Sequence, residues 1–328
     1  MTSLQDYATY REIKSQTEAW AQAIEITRSA PLPKADDYEQ VIFTGCGSTY
    51  YLSLGAAALY QELTGRAARA VPAGELLFNP QIVLTQQKTL LVAVSRSGTT
   101  SETVKAVEKF KAGKHGNVVV ISNYDEILSR LADVNLVITK GQEESVAQTR
   151  SFASMYVAAC AFCARMAGRD DLLAAMQRLP EVGNPLMDKY ESFAKEIGSN
   201  LGFDRFYFLG SGIRHGLACE ANLKMKEMTL THSEPFHTLE FRHGPMSMVN
   251  KSAVVVGMLS DANRFQEAKV LSEMQALGGT VASLGERDAV VEFASGIPEN
   301  VRGVLYLPVL QLLAFYRSVA KGLDPDRP

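Results

Sequence analysis

A pair of doubly wound parallel α/β sheets, one after the other along the chain, is the fold this sequence predicts. Three observations predict it. Short continuous apolar runs of strand length alternate with helix-length segments, the pattern of a parallel sheet covered by helices on both faces. The alternation occurs twice, on either side of a long helical stretch. Each half also opens with a strand that passes through Gly-x-Gly into a helix, at Gly45-Cys46-Gly47 and again at Gly210-Ser211-Gly212, as a duplication would leave behind.

Taken in order, residues 1–34 read as a helical arm. A first domain over 35–180 carries strands at VIFTG (41–45), TLLVAVS (89–95), NVVVIS (117–122) and NLVIT (135–139), with helices starting near Thr49 and Ser101. The stretch from Arg150 to about Gly198 is helical, with breaks expected near Pro180 and Pro185. A second domain over 190–328 follows, with strands at RFYFLG (205–210), AVVVGML (253–259), TVASLG (280–285) and VLYLPV (304–309) and helices from about His215 and Phe265.

Composition narrows the function classes. The 328 residues are 46% hydrophobic and 21% charged, enough to bury a core, and the net charge of -3 with interspersed basic residues offers no field for nucleic acid. The first 25 residues have acidic and helical character where a secretory signal needs a basic end and an apolar run, and apolar stretches are interrupted before membrane-spanning length. A cytoplasmic protein with neither membrane nor nucleic-acid partner is expected. Of four cysteines, Cys160 and Cys163 form a CxxC within an apolar helix and have no second pair to complete a zinc site, so they read as core.

Two loops have the chemistry of anion sites. The first, Gly45-Cys46-Gly47-Ser48-Thr49-Tyr50, lies where a strand meets a helix and can aim backbone amides at an anion. It lacks the third glycine of a dinucleotide loop, and no acidic residue closes the next strand, 68–72, to hold a ribose. The second, Ser95-Arg96-Ser97-Gly98-Thr99-Thr100-Ser101, sets hydroxyls around a glycine at a strand's C-terminal end, and Arg96 adds charge. A helix cap would explain one hydroxyl and not three.

In the second half, Glu220, Lys224 and Glu227 fall at i, i+4 and i+7 and share a helix face beside the stripe Leu217, Ala221, Met225 and Met228. By itself that spacing describes a solvated ion pair. The segment that follows, from His232 through His237 to His243-Gly244-Pro245, holds three of the five histidines in what reads as a polar loop, better suited to a site than to a plain connection. Its histidines lack the helical spacing of a zinc pair, and no metal is expected.

These segments, together with Ser145-Val146-Ala147-Gln148-Thr149-Arg150 and Glu240-Phe241-Arg242-His243-Gly244-Pro245, resemble the sugar-isomerase (SIS) half of glucosamine-6-phosphate synthase and its stand-alone relatives over nearly the whole chain. The resemblance implies two flavodoxin-like SIS domains in tandem and a sugar phosphate as substrate. It implies that Gly47, Ser48, Thr49, Ser95, Ser97, Thr100 and Gln148 hold phosphate and sugar, with Arg96 where the synthase has glutamine. Glu227 becomes the base that moves a proton between C1 and C2, supported by Lys224 and Glu220, and His243 the ring-opening residue, supplied across a homodimer. No cofactor is implied, because the substrate's own carbonyl takes up the developing charge. After AVVVGML comes Ser260-Asp261-Ala262-Asn263 in place of a second hydroxyl cradle, so one site per chain is expected.

Two departures shape the expected reaction. The synthase begins with an amidotransferase domain whose nucleophile is an N-terminal cysteine, where this sequence has Met1-Thr2 and a helical arm. The family also continues past a DxDxPR-like segment to a lysine-bearing tail, where this sequence reads Leu323-Asp324-Pro325-Asp326-Arg327-Pro328. Glucosamine 6-phosphate deamination to fructose 6-phosphate and ammonia is the reaction expected. A fructosamine 6-phosphate deglycase and a simple aldose-ketose isomerase share the same cradle and base. A phosphosugar sensor is the rival from another class, and it would have no use for Glu227, Lys224 or His243.

Overall fold

In the computed structural model, which describes residues 3–328, the apolar runs become strands of two five-stranded, wholly parallel sheets. Met1 and Thr2 lie outside the described residues. In chain order the elements are α1 (Ala8–Ser29), β1 (Gln40–Gly45), α2 (Ser48–Thr64), β2 (Ala68–Pro72), α3 (Ala73–Phe78), α4 (Pro80–Val83), β3 (Thr89–Ser95) and α5 (Ser101–Ala112). Next come β4 (Gly116–Ser122), α6 (Ile127–Leu131), β5 (Val134–Val137), α7 (Arg150–Met166), α8 (Asp170–Met176) and α9 (Leu179–Ser199). The last elements are β6 (Arg205–Leu209), α10 (Ile213–Thr229), β7 (His232–Phe236), β8 (Ala253–Met258), α11 (Arg264–Ala276), β9 (Thr280–Gly285), β10 (Val291–Glu292) and α12 (Leu307–Ala320).

The chain forms two compact units, the first made of residues 16–142 and 150–178, the second of residues 3–15, 143–149 and 179–328. In the first, the strands lie in the order β2-β1-β3-β4-β5. In the second, β7-β6-β8-β9-β10 repeats that order strand for strand. Both are doubly wound sheets whose direction of growth reverses between two neighbouring strands, β1 and β3 or β6 and β8, and the crevice at such a switch point is where ligands of this architecture sit. The strands are apolar throughout because both faces are covered: every residue of β1, β3 and β8 is buried.

Three local expectations are corrected. VLYLPV is helical, with 304–306 in a 3-10 turn that leads into α12 and Pro308 in that helix's first turn, where a missing N–H costs nothing. Among the described residues, Gly303–Ala320 is the one stretch long and apolar enough to cross a membrane; 89% of it is buried, and α12 packs on α9 and α10. Of the two breaks expected after Arg150, the one near Pro180 is present, between α8 and α9, but α9 runs on through Pro185, and a further break follows α7, where Gly168 takes a left-handed φ of 66°. Finally, the histidine-bearing segment opens with an edge strand, β7, paired in parallel with β6. Pro235 is tolerated there because an edge strand has one side free of ladder bonds.

Cys160 and Cys163 are buried in α7, and burial pushes the Cys160 thiol up to about 12 and the Cys163 thiol well above its ordinary range. Both stay protonated in the core.

Within the second unit the start of α1 is capped from afar. The Asp326 carboxylate accepts the backbone N–H groups of Ala8 (2.9 Å) and Thr9 (2.8 Å) and the Thr9 hydroxyl (2.7 Å). Asp326→Ala is expected to cost about 1–2 kcal/mol, the range for a lost helix cap. Urea unfolding followed by circular dichroism measures it, and an unchanged midpoint would mean the cap is not felt.

Candidate functional site

At the switch point of the first unit, two loops leave the C-terminal ends of β1 and β3. Gly47 precedes α2 with φ 56°, a conformation that strains any residue with a Cβ, and turns the chain so that α2 begins at Ser48. Ser48 and Thr49 are both buried. The Thr49 hydroxyl is engaged within its own turn, accepting the Cys46 N–H and donating to the Cys46 carbonyl, each at 2.9 Å.

The loop after β3 is tighter. Gly98 has φ 68°, and a Cβ there would come within 3.1 Å of Glu126 Cβ and 3.2 Å of the Tyr124 carbonyl. The buried Ser95 hydroxyl accepts the Gly98 N–H at 3.2 Å and lies 3.2 Å from Thr100 Oγ1. Ser97 Oγ accepts the Thr99 N–H (3.2 Å) and the Thr99 hydroxyl (3.0 Å). Thr100 is the residue that caps α5, yet its side chain makes no capping bond, so the helix does not consume this hydroxyl. Arg96 is half-buried, and its carbonyl accepts the Asn123 N–H at 3.1 Å. Ser95, Ser97 and Thr100 are therefore gathered around a glycine turn at the N-terminus of a twelve-residue helix, whose partial positive charge favours an anion.

In the second unit, α10 takes Glu220, Lys224 and Glu227 out of the solvated class. Glu220 is 1% exposed and Lys224 2%. Lys224 Nζ lies 3.2 Å from Glu220 Oε1 and is also paired with Glu227 Oε1. Of the three side chains only that of Glu227 reaches the surface, with 34% exposed. Burial by itself would strip the Lys224 proton, but the two carboxylates and their hydrogen bonds outweigh it and hold the ammonium above the ordinary lysine range. The stabilisation this gives is complete at neutral pH and is lost only as pH climbs through the raised pKa.

The three clustered histidines have different fates. His232 lies exposed in β7. His237 stacks on His215 of α10, ring centres 3.8 Å apart and planes 15° from parallel. Burial, and then the neighbouring His237, depress the pKa of His215, which is therefore neutral at pH 7. His243 follows a 3-10 turn over Glu240–Arg242, and its side chain is exposed. Among the described residues no three His, Cys, Asp or Glu side chains are grouped to hold a metal ion.

Gln148 belongs to a short segment, 143–149, that packs into the second unit although its sequence neighbours belong to the first. Glu143 accepts the Thr149 N–H (2.8 Å) and hydroxyl (2.9 Å). Buried Glu12 of α1 accepts the N–H groups of Glu144 (2.5 Å) and Ser145 (3.3 Å) and the Ser145 hydroxyl. Sequence reasoning missed Glu12 as the clamp of this segment, because one glutamate on a helical arm has no local signal of its distant partner.

The SIS domain profile matches residues 36–165 and 203–289, most of the chain. The chain belongs to the SIS domain family. This SIS chain is 30% identical over 307 residues to the glutamine–fructose-6-phosphate aminotransferase (isomerizing) of Pyrococcus horikoshii, a match over 89% of this chain and 50% of that protein. It spans about half the length of the curated relatives it matches. Among solved structures, a glucosamine-6-phosphate deaminase from Thermotoga maritima superposes with a TM-score of 0.82 at 25% identity, covering 97% of this chain and 96% of that one. The C-terminal domain of glucosamine-fructose-6-phosphate aminotransferase from Francisella tularensis shares the fold over the full length of both chains, with a TM-score of 0.86 at 22% identity.

Replacing Lys224 by Met leaves Glu220 buried beside an apolar side chain, and a loss of about 3–5 kcal/mol is expected, as for other buried ion pairs broken on one side. The double variant Lys224→Met with Glu220→Gln should recover part of it. Denaturant unfolding of the two proteins checks this; equal stability would mean that Glu220 takes no share in holding the lysine.

Proposed function

We propose that this SIS chain acts on an amino-sugar phosphate, isomerising glucosamine 6-phosphate and releasing fructose 6-phosphate and ammonia. The observation that carries the reading is the charge arrangement on α10, in which two of three ionic side chains are buried and the third, Glu227, presents its carboxylate at the surface. A structural ion pair has no need to bury a lysine and a glutamate behind a half-exposed carboxylate. A general base does, because a fixed ammonium behind it holds the carboxylate in place. The hydroxyls of Ser95, Ser97 and Thr100 at the start of α5 support a phosphate monoester as the handle. The near-complete length match to the Thermotoga protein supports the deaminase direction.

On this reading His243 opens the sugar ring, passing a proton to the ring oxygen as the C1 hydroxyl loses its own. Its exposed side chain suits donation to a second copy of the chain in a homodimer. Glu227 then removes the C2 hydrogen as a proton while the C1 aldehyde oxygen is protonated, giving an enolamine. The same carboxylic acid returns its proton to C1, leaving an imine at C2. Water adds to C2 and expels ammonia, which yields fructose 6-phosphate. Gln148 and Arg96 serve substrate preference.

Release of ammonia and fructose 6-phosphate from glucosamine 6-phosphate tests the assignment. Glu227→Gln is expected to lower turnover by about 10²–10⁴-fold, the share usual for a general base, with phosphosugar affinity retained. Turnover unchanged in the variant would remove Glu227 from the mechanism. Binding without any release by the unaltered protein would turn the reading toward a fructosamine 6-phosphate deglycase or a sensor.

A further inference from the structure

The second unit repeats the strand order of the first, so it has a switch point of its own, between β6 and β8. The correspondence holds residue by residue. Gly47 and Gly212 precede α2 and α10 with φ 56° and 59°, which sets Arg214 where the first unit has Thr49. In the strand register Thr44 pairs with Ala93 and Leu209 with Gly257, so Leu259 falls where the first unit has Ser95. Between there and the helix, residues 260–263 replace 96–100, four residues for five.

This loop still points its amides at negative charge, but the charge is the protein's own. The Ser260 N–H (2.6 Å) and hydroxyl (2.9 Å) donate to Glu267 Oε2, a carboxylate only 3% exposed in the first turn of α11. The next amide, Asp261 N–H, donates to Glu299 Oε2 at 2.9 Å. Arg214, itself 6% exposed, pairs with Glu299 through Nη1 and lies 3.9 Å from Glu267 Oε1 through Nη2, while its buried Nε has no hydrogen-bond acceptor. Arg302, 2% exposed, is held 2.5 Å from Asp261 Oδ1. Successive amides, a hydroxyl, a helix N-terminus and a buried guanidinium are the parts of an oxyanion site.

We infer that the second switch point is an anion site kept shut by the chain's own carboxylates, Glu267 and Glu299, and that freeing it creates a second site for a phosphate-type oxyanion. Its analogy with the first unit rests on reading the Ser95–Thr100 loop as the phosphate cradle there, while the second site stands or falls on its own groups. The inference accounts by competition for the single site per chain that the sequence leads one to expect. An intramolecular carboxylate is always present at its partner, so an external anion meets a filled site.

Calorimetric titration of the full chain with inorganic phosphate tests it. One phosphate is expected per unaltered chain and two for Glu267→Ala, with Glu227-dependent turnover unchanged. Glu299→Ala provides a second opening at a partly exposed side chain should the first variant fail to fold. In a Ser97→Ala, Thr100→Ala background the expected numbers are none with Glu267 present and one with Glu267→Ala. Folded Glu267→Ala or Glu299→Ala protein that still takes no phosphate beyond the unaltered chain overturns the inference. Should the unaltered chain take none while Glu267→Ala takes one, the reading of the first cradle fails and the inference stands.

Discussion

Parallel pairing is the constraint from which the rest of this molecule follows. Strands that run the same way need a crossover between them, here mostly helices, and those helices cover both faces of the sheet. In these two sheets, β1, β3 and β8 are buried at every position, which leaves the strand ends as the places where polar chemistry meets the fold. At the C-terminal ends of β1, β3, β6 and β8 the chain turns into a helix, so amides and partial positive charge collect there. The crevice at the reversal point of each sheet is thus an anion-seeking place before any side chain is chosen.

The two units use that shared inheritance in opposite ways. In the first, the residues around the reversal point are small and hydroxylic, and the turn at Gly98 is too close to Tyr124 and Glu126 to accept a side chain comfortably. In the second, Arg214 is paired with Glu299 and lies near Glu267, and the Ser260 and Asp261 amides are already taken by those two carboxylates. The second unit also carries charge along α10, where the Gly-x-Gly turn feeds a helix buried on nearly all sides. A lysine in such a place keeps its proton only because two carboxylates outweigh the cost of its burial. That coupling ties the partly exposed carboxylate of Glu227 to two side chains that the solvent does not reach.

Much of this could be read from the chain. Continuous apolar runs, two Gly-x-Gly turns and hydroxyls around Gly98 are local features, and local sequence determined the doubly wound class, the repeat and the position of the glycine turns, because strand burial and positive φ act on residues close together in sequence. The i, i+4, i+7 spacing put Glu220, Lys224 and Glu227 on one helix face in the same way. Tertiary structure alone decided the rest. Burial turned that trio from a solvated pair into a buried ion-pair network, since solvent exposure depends on what packs over a helix and not on its own spacing. Packing made VLYLPV the entry to a core helix, an apolar run of six being equally suited to either state, and drew β7 into the sheet edge. Glu12 on segment 143–149, and Glu267 on the loop after β8, act through partners that fold back from elsewhere, and a hydrogen bond between distant residues leaves no trace in the order of the residues themselves.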